Sequence, residues 1–201
     1  RTQAVGKMHF WPQRCCYGFD NMVLTELDYQ DYLVGTPYAG RAMGHGLGNN
    51  EIYPIRAMAP QEYSPTTWTV DETIHFLDKR DPTCPFFLWV SFTKPHPPFD
   101  PPAPYDTMYD PDECPDPVIP DWSEGEACPN YVYQKRTSYK HDVIPARMVK
   151  KAAAAYYGLI TEIDYQMGRL FGALRERDLF DNSLICFTSD HGEMLGDMRC
   201  F

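Results

Sequence analysis

Two short, unbroken apolar runs restrict the fold of this chain more than any other feature. Phe86–Phe92 reads FFLWVSF and Ser183–Ser189 reads SLICFTS. Runs of this length without alternation have the pattern of strands buried on both faces. Between them, from about Arg147 to Asp178, Ala152, Tyr156, Leu159, Ile160, Ile163, Met167, Leu170, Phe171 and Leu174 recur on one helical face. Buried strands joined by a helical crossover predict an α/β fold with a largely parallel sheet. Thr2–Val5 reads as the tail of a further strand that runs into Gly6-Lys7-Met8-His9. The 201 residues suffice for one sizeable core and read as a single domain.

The remainder is less regular. Asp71–Arg80 reads as a short helix with Ile74, Leu77 and Phe76 facing inward. Gly35–Asn50, rich in Gly, Tyr and Asn, reads as loop. Lys94–Pro145 holds twelve of the nineteen prolines. Each proline removes a donor and fixes φ, so this segment reads as a long loop that wraps the surface or serves a site. A net charge of −10 argues against a nucleic-acid partner, though a few local cations can still hold a small anion. No apolar stretch approaches the roughly 18 residues of a membrane span. Seven irregularly spaced cysteines without a C-x-x-C pair argue against a disulfide framework and a zinc knuckle. They lean toward a reducing, cytoplasmic setting, with Cys186 read as a small buried hydrophobe in its strand.

Three strand ends carry polar clusters: Gly6-Lys7-Met8-His9, Lys94-Pro95-His96-Pro97 and Ser189-Asp190-His191-Gly192. In open α/β sheets, ligands bind outside the carboxyl ends of the strands, so clusters on one sheet would converge on one crevice. In an extended segment, residues i and i+2 point to the same side. Lys7 with His9, and Lys94 with His96, would then each present an ammonium and an imidazole suited to an oxyanion and a proton. Asp190 and His191 can reach one cation, but a single such pair is too few ligands for a closed metal site. Each cluster also has a plainer reading. Asp190 would cap a helix starting near Glu193, Lys7 and His9 would be a surface lysine and a structural histidine, and Lys94 and His96 would be incidental charges on a proline-braced turn. His45, His75 and His141 lack comparable neighbours and read as structural.

Taken together, Gly6-Lys7-Met8-His9-Phe10, Phe86-Phe87-Leu88 leading to Lys94-Pro95-His96-Pro97-Pro98, Tyr156–Asp164, and Thr188-Ser189-Asp190-His191-Gly192 through Asp197 resemble the sulfatase family of the alkaline phosphatase-like superfamily. The resemblance implies an α/β/α sandwich and a sulfuric ester hydrolase of the arylsulfatase type. Its partner would be a small-molecule or carbohydrate sulfate ester. Such enzymes use a formylglycine made from a Cys or Ser in a C/S-x-P/A-x-R motif, together with a divalent cation. That cation is expected to be Ca²⁺, with Mg²⁺ or Mn²⁺ as alternatives. By motif position Asp190 and His191 would be metal ligands, and Lys7 would contact the sulfate. His9 would sit beside the formylglycine hydrate and help collapse the covalent intermediate. His96 would face the leaving-group oxygen as donor or general acid, and Lys94 would be a further substrate-binding cation of the pocket.

The chain departs from the family pattern in its nucleophile. No C/S-x-P/A-x-R occurs: Cys84-Pro85, Cys114-Pro115 and Cys128-Pro129 have the wrong spacing. The expected acidic pair nearer the family's N-terminus is missing, and the lysine after Asp-His-Gly would fall beyond Phe201. The chain is therefore expected to be an internal piece of a catalytic domain, inactive by itself. The alternatives are a phosphonate monoester or phosphodiester hydrolase of the same superfamily, or a non-catalytic binding protein of the same fold.

Overall fold

The computed structural model describes residues 1–41, 45–125, 128–138 and 140–201. Strands β1 (Thr2–Gly6), β2 (Asn21–Leu24) and β3 (Phe87–Ser91) form a parallel sheet in the order β2-β1-β3. Helices α1 (Asp28–Val34) and α2 (Pro65–Lys79) lie between β2 and β3 in the chain, and α3 (Asn130–Ser138) and α4 (Ala146–Glu176) follow. The register sets Val5 between Val23 and Val90. On that face Leu88 and Val90 pack with Val70 and Leu77 of α2 and Leu170 and Leu174 of α4. Tyr29 and Leu33 of α1 join Trp68 over Val23. The chain thus has the expected α/β fold with a parallel sheet.

Helix α4 matches its expected extent within two residues at each end, but α2 begins six residues before Asp71. Thr66, Thr67 and Thr69 have low intrinsic helix propensity, which hid this start. Ser64 decides it: its Oγ accepts the Thr67 N–H at 3.1 Å, and Pro65 occupies the first turn. Burial of Trp68 and Val70 then fixes the added turn against the sheet.

Other expectations fail, and tertiary placement is the reason. Ser183–Ser189 pairs with no strand, and Leu184 and Phe187 are 93% and 77% exposed. Cys186 is likewise exposed rather than buried. An apolar run becomes a strand only where a neighbour's backbone groups meet its own, and among the described residues none does. Strand β3 is partly buried on one face and exposed on the other, rather than buried on both. Its alternate residues Phe87 and Trp89 point to the other face, are about half exposed, and pack their rings against Phe19.

Gly35–Asn50 contains no helix or strand among the described residues beyond its junction with α1; residues 42–44 lie outside them. Lys94–Pro145 is irregular apart from α3 and single 3₁₀ turns, with 126–127 and 139 outside the described residues. One such turn, Tyr105–Thr107, sits against α4 so closely that a Cβ on Gly158 would lie 2.4 Å from the Tyr105 carbonyl oxygen. That approach requires glycine. Among the described residues no helix is long and apolar enough to cross a membrane.

Candidate functional site

Strand β1 ends at Gly6 in the left-handed region, with φ of 104°, where a Cβ would lie 1.9 Å from the Ser91 carbonyl oxygen. Only glycine permits this approach, which lets the Lys7 N–H reach that oxygen at 2.9 Å. Lys7 therefore leaves the sheet at its carboxyl edge beside the end of β3. The turn that follows is held by Glu26, whose Oε1 accepts the N–H groups of Met8 at 3.0 Å and His9 at 2.7 Å. His9 itself has φ of 54°. The extended backbone on which the Lys7 and His9 expectation is built stops at His9. The His9 ring makes no hydrogen bond or ring contact among the described residues.

Beyond β3, the His96 Nδ1 lies 2.8 Å from the Pro97 carbonyl oxygen. A carbonyl only accepts, so Nδ1 carries the proton and Nε2 is the free nitrogen. His191 repeats the device, with its Nδ1 3.0 Å from the Gly192 carbonyl oxygen. The two rings meet edge to face with centroids 6.3 Å apart. Asp190 Oδ1 accepts the His191 N–H at 2.9 Å, and no helix starts at Glu193, so the capping alternative falls. That backbone N–H holds the Asp190 carboxyl below its ordinary range, and the neighbouring His191 ring and Lys7 ammonium add to the effect. The structure thus gathers Lys7, His96, Asp190 and His191 at one rim, with His9 on the turn beyond Lys7.

The donor chemistry of Asp190 and His191 fits part of a divalent site. His191 Nε2 keeps its lone pair because Nδ1 donates to a carbonyl, the usual orientation of a ligating imidazole. It lies 3.8 Å from Asp190 Oδ2. Two atoms bound about 2.0–2.6 Å from one ion are separated by about this much. Among the described residues no third His, Cys, Asp or Glu joins this pair to form a metal-binding group.

Lys94 differs from expectation. Its side chain is buried, and its ammonium is spent inside the protein on the Asp100 carboxylate, the Pro98 carbonyl oxygen at 2.7 Å and the His96 carbonyl oxygen at 3.5 Å. A substrate anion would have to break that set. Four residues that periodicity did not single out frame this region: Glu26, Asp100, His45 and Glu162. A hydrophobic pattern carries no signal for a buried carboxylate, because its position depends on partners distant in sequence.

Glu162 is the clearest case. It is 1% exposed in the middle of α4, and Ser64 Oγ donates to its Oε1 at 2.5 Å. Burial pushes its carboxyl up to about 7 and Asp100 adds to this, while Ser64 and Lys94 oppose it. The folded protein therefore keeps a proton that the unfolded chain releases near 4.5. As pH rises from about 4.5 to 7, this group removes up to about 3 kcal/mol of stability. Glu162→Gln in the full-length protein should unfold at a temperature that no longer falls across this window, and above pH 7 it should outlast the wild type. Thermal unfolding at pH 5 and pH 8 tests this; a variant that keeps the wild-type pH dependence refutes it.

Residues 1–199 match the family described as Sulfatase. The chain is 37% identical to an arylsulfatase of Clostridium perfringens, over its whole length and 46% of that protein. It is 30% identical to the human iduronate 2-sulfatase over 75% of the chain and 30% of that protein. Among solved structures, a phosphonate monoester hydrolase of Agrobacterium radiobacter superposes with a TM-score of 0.74 at 25% identity, over 98% of this chain and 45% of that one. The chain spans less than half the length of these relatives.

Proposed function

The chain belongs to the sulfatase family, and on that premise we propose that the protein hydrolyses sulfate monoesters at the rim where Lys7, His96, Asp190 and His191 meet. The observation that best supports this reading is the edge-to-face approach of His96 and His191, which come from segments far apart in sequence, beside a carboxylate that feels Lys7.

The family is generally metal-dependent, and a bound cation supplies polarisation of the sulfate S–O bonds. Asp190 and His191 are the residues of this chain that would hold it, with Ca²⁺ as the expected ion and Mg²⁺ or Mn²⁺ as alternatives. Lys7, fixed at the sheet edge, holds the non-bridging sulfate oxygens as charge shifts onto them. His96 in its imidazolium form gives the Nε2 proton to the departing alcohol oxygen. The ring then returns to the Nδ1–H tautomer that Pro97 holds. His9 would take the proton that releases sulfate from the family's formylglycine nucleophile. No C/S-x-P/A-x-R motif occurs in these 201 residues, so we assign that nucleophile to another part of the protein. Residues 1–201 act as one part of a single catalytic domain, with a small-molecule or carbohydrate sulfate ester as substrate.

The phosphonate monoester hydrolase likeness keeps phosphorus esters as a second reading. Full-length protein with matched aryl esters of sulfate, phenylphosphonate and phosphodiester separates the two. The sulfate ester should give a kcat/KM at least about tenfold above the others, a preference of roughly 1.4 kcal/mol. A phosphonate preference would move the assignment to the second reading. Turnover of none, by a folded protein that binds metal, would leave a binding protein of the same fold.

A further inference from the structure

We propose that Asp100 and His45, acting through Lys94, are positioning residues that fix the imidazole of His96 for proton delivery. The inference rests on the role given to His96 above and names what holds it.

The turn from Lys94 to Asp100 contains Pro95, Pro97 and Pro98, none of which has a backbone N–H. Its own backbone supplies two hydrogen bonds, His96 N–H to Thr93 at 3.2 Å and Asp100 N–H to Pro98 at 3.0 Å. Such a turn cannot define itself by a ladder; apart from the Ile55 N–H that the Phe99 carbonyl accepts at 3.1 Å, side chains hold it. Lys94 answers that need by folding back over its own turn. Its ammonium collects the His96 and Pro98 carbonyl oxygens together with Asp100 Oδ1. The carbonyl between those two belongs to Pro97, and it accepts from His96 Nδ1. The direction of that carbonyl sets both the tautomer and the aim of the ring.

Asp100 in turn is held from outside the turn. Its Oδ2 meets His45 Nε2 at 3.0 Å, and His45 Nδ1 accepts the Leu47 N–H at 3.2 Å. Because Nδ1 accepts, the His45 proton sits on Nε2 and is donated to Asp100. The His45, Asp100 and Lys94 side chains are 1%, 7% and 8% exposed. Water is thus kept from competing for these bonds, and the set is satisfied group by group. A displaced catalytic group of about 1 Å costs about 10²-fold in rate, so a slack turn has a measurable consequence.

The test uses full-length protein carrying Asp100→Asn, His45→Ala or His45→Gln, each with His96 intact and with His96→Ala. Asp100→Asn and His45→Ala should lower kcat about 10- to 100-fold with little change in KM, and most for esters of poorly acidic alcohols. His45→Gln should recover most of the loss, since its amide still donates to Asp100. In the His96→Ala background the same changes should cost under about twofold, because the group they position is gone. Losses that multiply with His96→Ala, or that fall equally on all leaving groups, overturn the proposal. A readout independent of turnover is the ring nitrogen spectrum of His96. It should report the Nδ1–H tautomer in the wild type and tautomer averaging in His45→Ala. An unchanged spectrum refutes the clamp even if no sulfate ester proves to be a substrate. Should Asp100→Asn fail to fold, the two His45 variants decide the matter alone.

Discussion

His96→Ala in the full-length protein is expected to slow hydrolysis of alkyl sulfates by about 10²–10⁴-fold, the usual worth of a positioned general acid. Esters of acidic phenols should lose far less, because a phenolate that is already stable leaves without a proton. Lys7→Ala should behave differently. In the role proposed for it, its ammonium holds the sulfate oxygens, whose charge changes similarly for every leaving group, so the loss should be nearly uniform. The measurement is log kcat/KM against leaving-group pKa for wild type and both variants. A steeper negative slope for His96→Ala alone is the expected result. The geometry gives this its basis: Nδ1 is committed to Pro97, so Nε2 is the only nitrogen that can deliver a proton. Equal slopes for all three proteins would leave His96 a positioning residue without a proton to give.

Asp190→Ala should abolish stoichiometric binding of a divalent cation and lower kcat/KM by about 10³-fold or more, since a bound cation contributes several kcal/mol to charge stabilisation. Asp190→Asn keeps one oxygen donor and loses the charge, so high Ca²⁺ should restore part of the activity. The pH dependence has a definite sign. The Asp190 carboxyl titrates below its ordinary range, so it stays charged through neutral and mildly acidic pH. Cation binding through Asp190 should therefore persist through mildly acidic pH and weaken only below the ordinary carboxylate range. Metal content after desalting, together with Ca²⁺ titration of turnover, measures both effects. An Asp190→Ala protein that retains its metal and its rate would show the carboxylate to be a purely structural partner of the His191 N–H.

Lys7, His96, Asp190 and His191 stand out in the sequence as candidates because they sit in short polar clusters next to apolar segments, and a glycine or proline beside a Lys or His is a local signal. Asp100 and Glu162 do not. Glu162 occupies the same buried stripe as Leu159 and Leu170, and its burial depends on Ser64, 98 residues away. A period of 3.6 residues marks which positions face inward only when they are apolar. A carboxylate in that stripe looks like a break in the pattern until its partner is known.

By itself the sequence determined the parallel α/β class, the extent of α4, the β1 and β3 segments and the family. These follow from local periodicity and from motifs whose meaning does not depend on distant partners. Tertiary structure decided the rest. It left Ser183–Ser189 unpaired, since a strand exists only through its neighbour's backbone groups. It turned Lys94 inward, since an ammonium goes where carbonyls and a carboxylate converge, and that convergence is made by Pro98, His96 and Asp100 in three dimensions. It also placed His9 in a left-handed turn on Glu26, which no alternation along β1 could foretell.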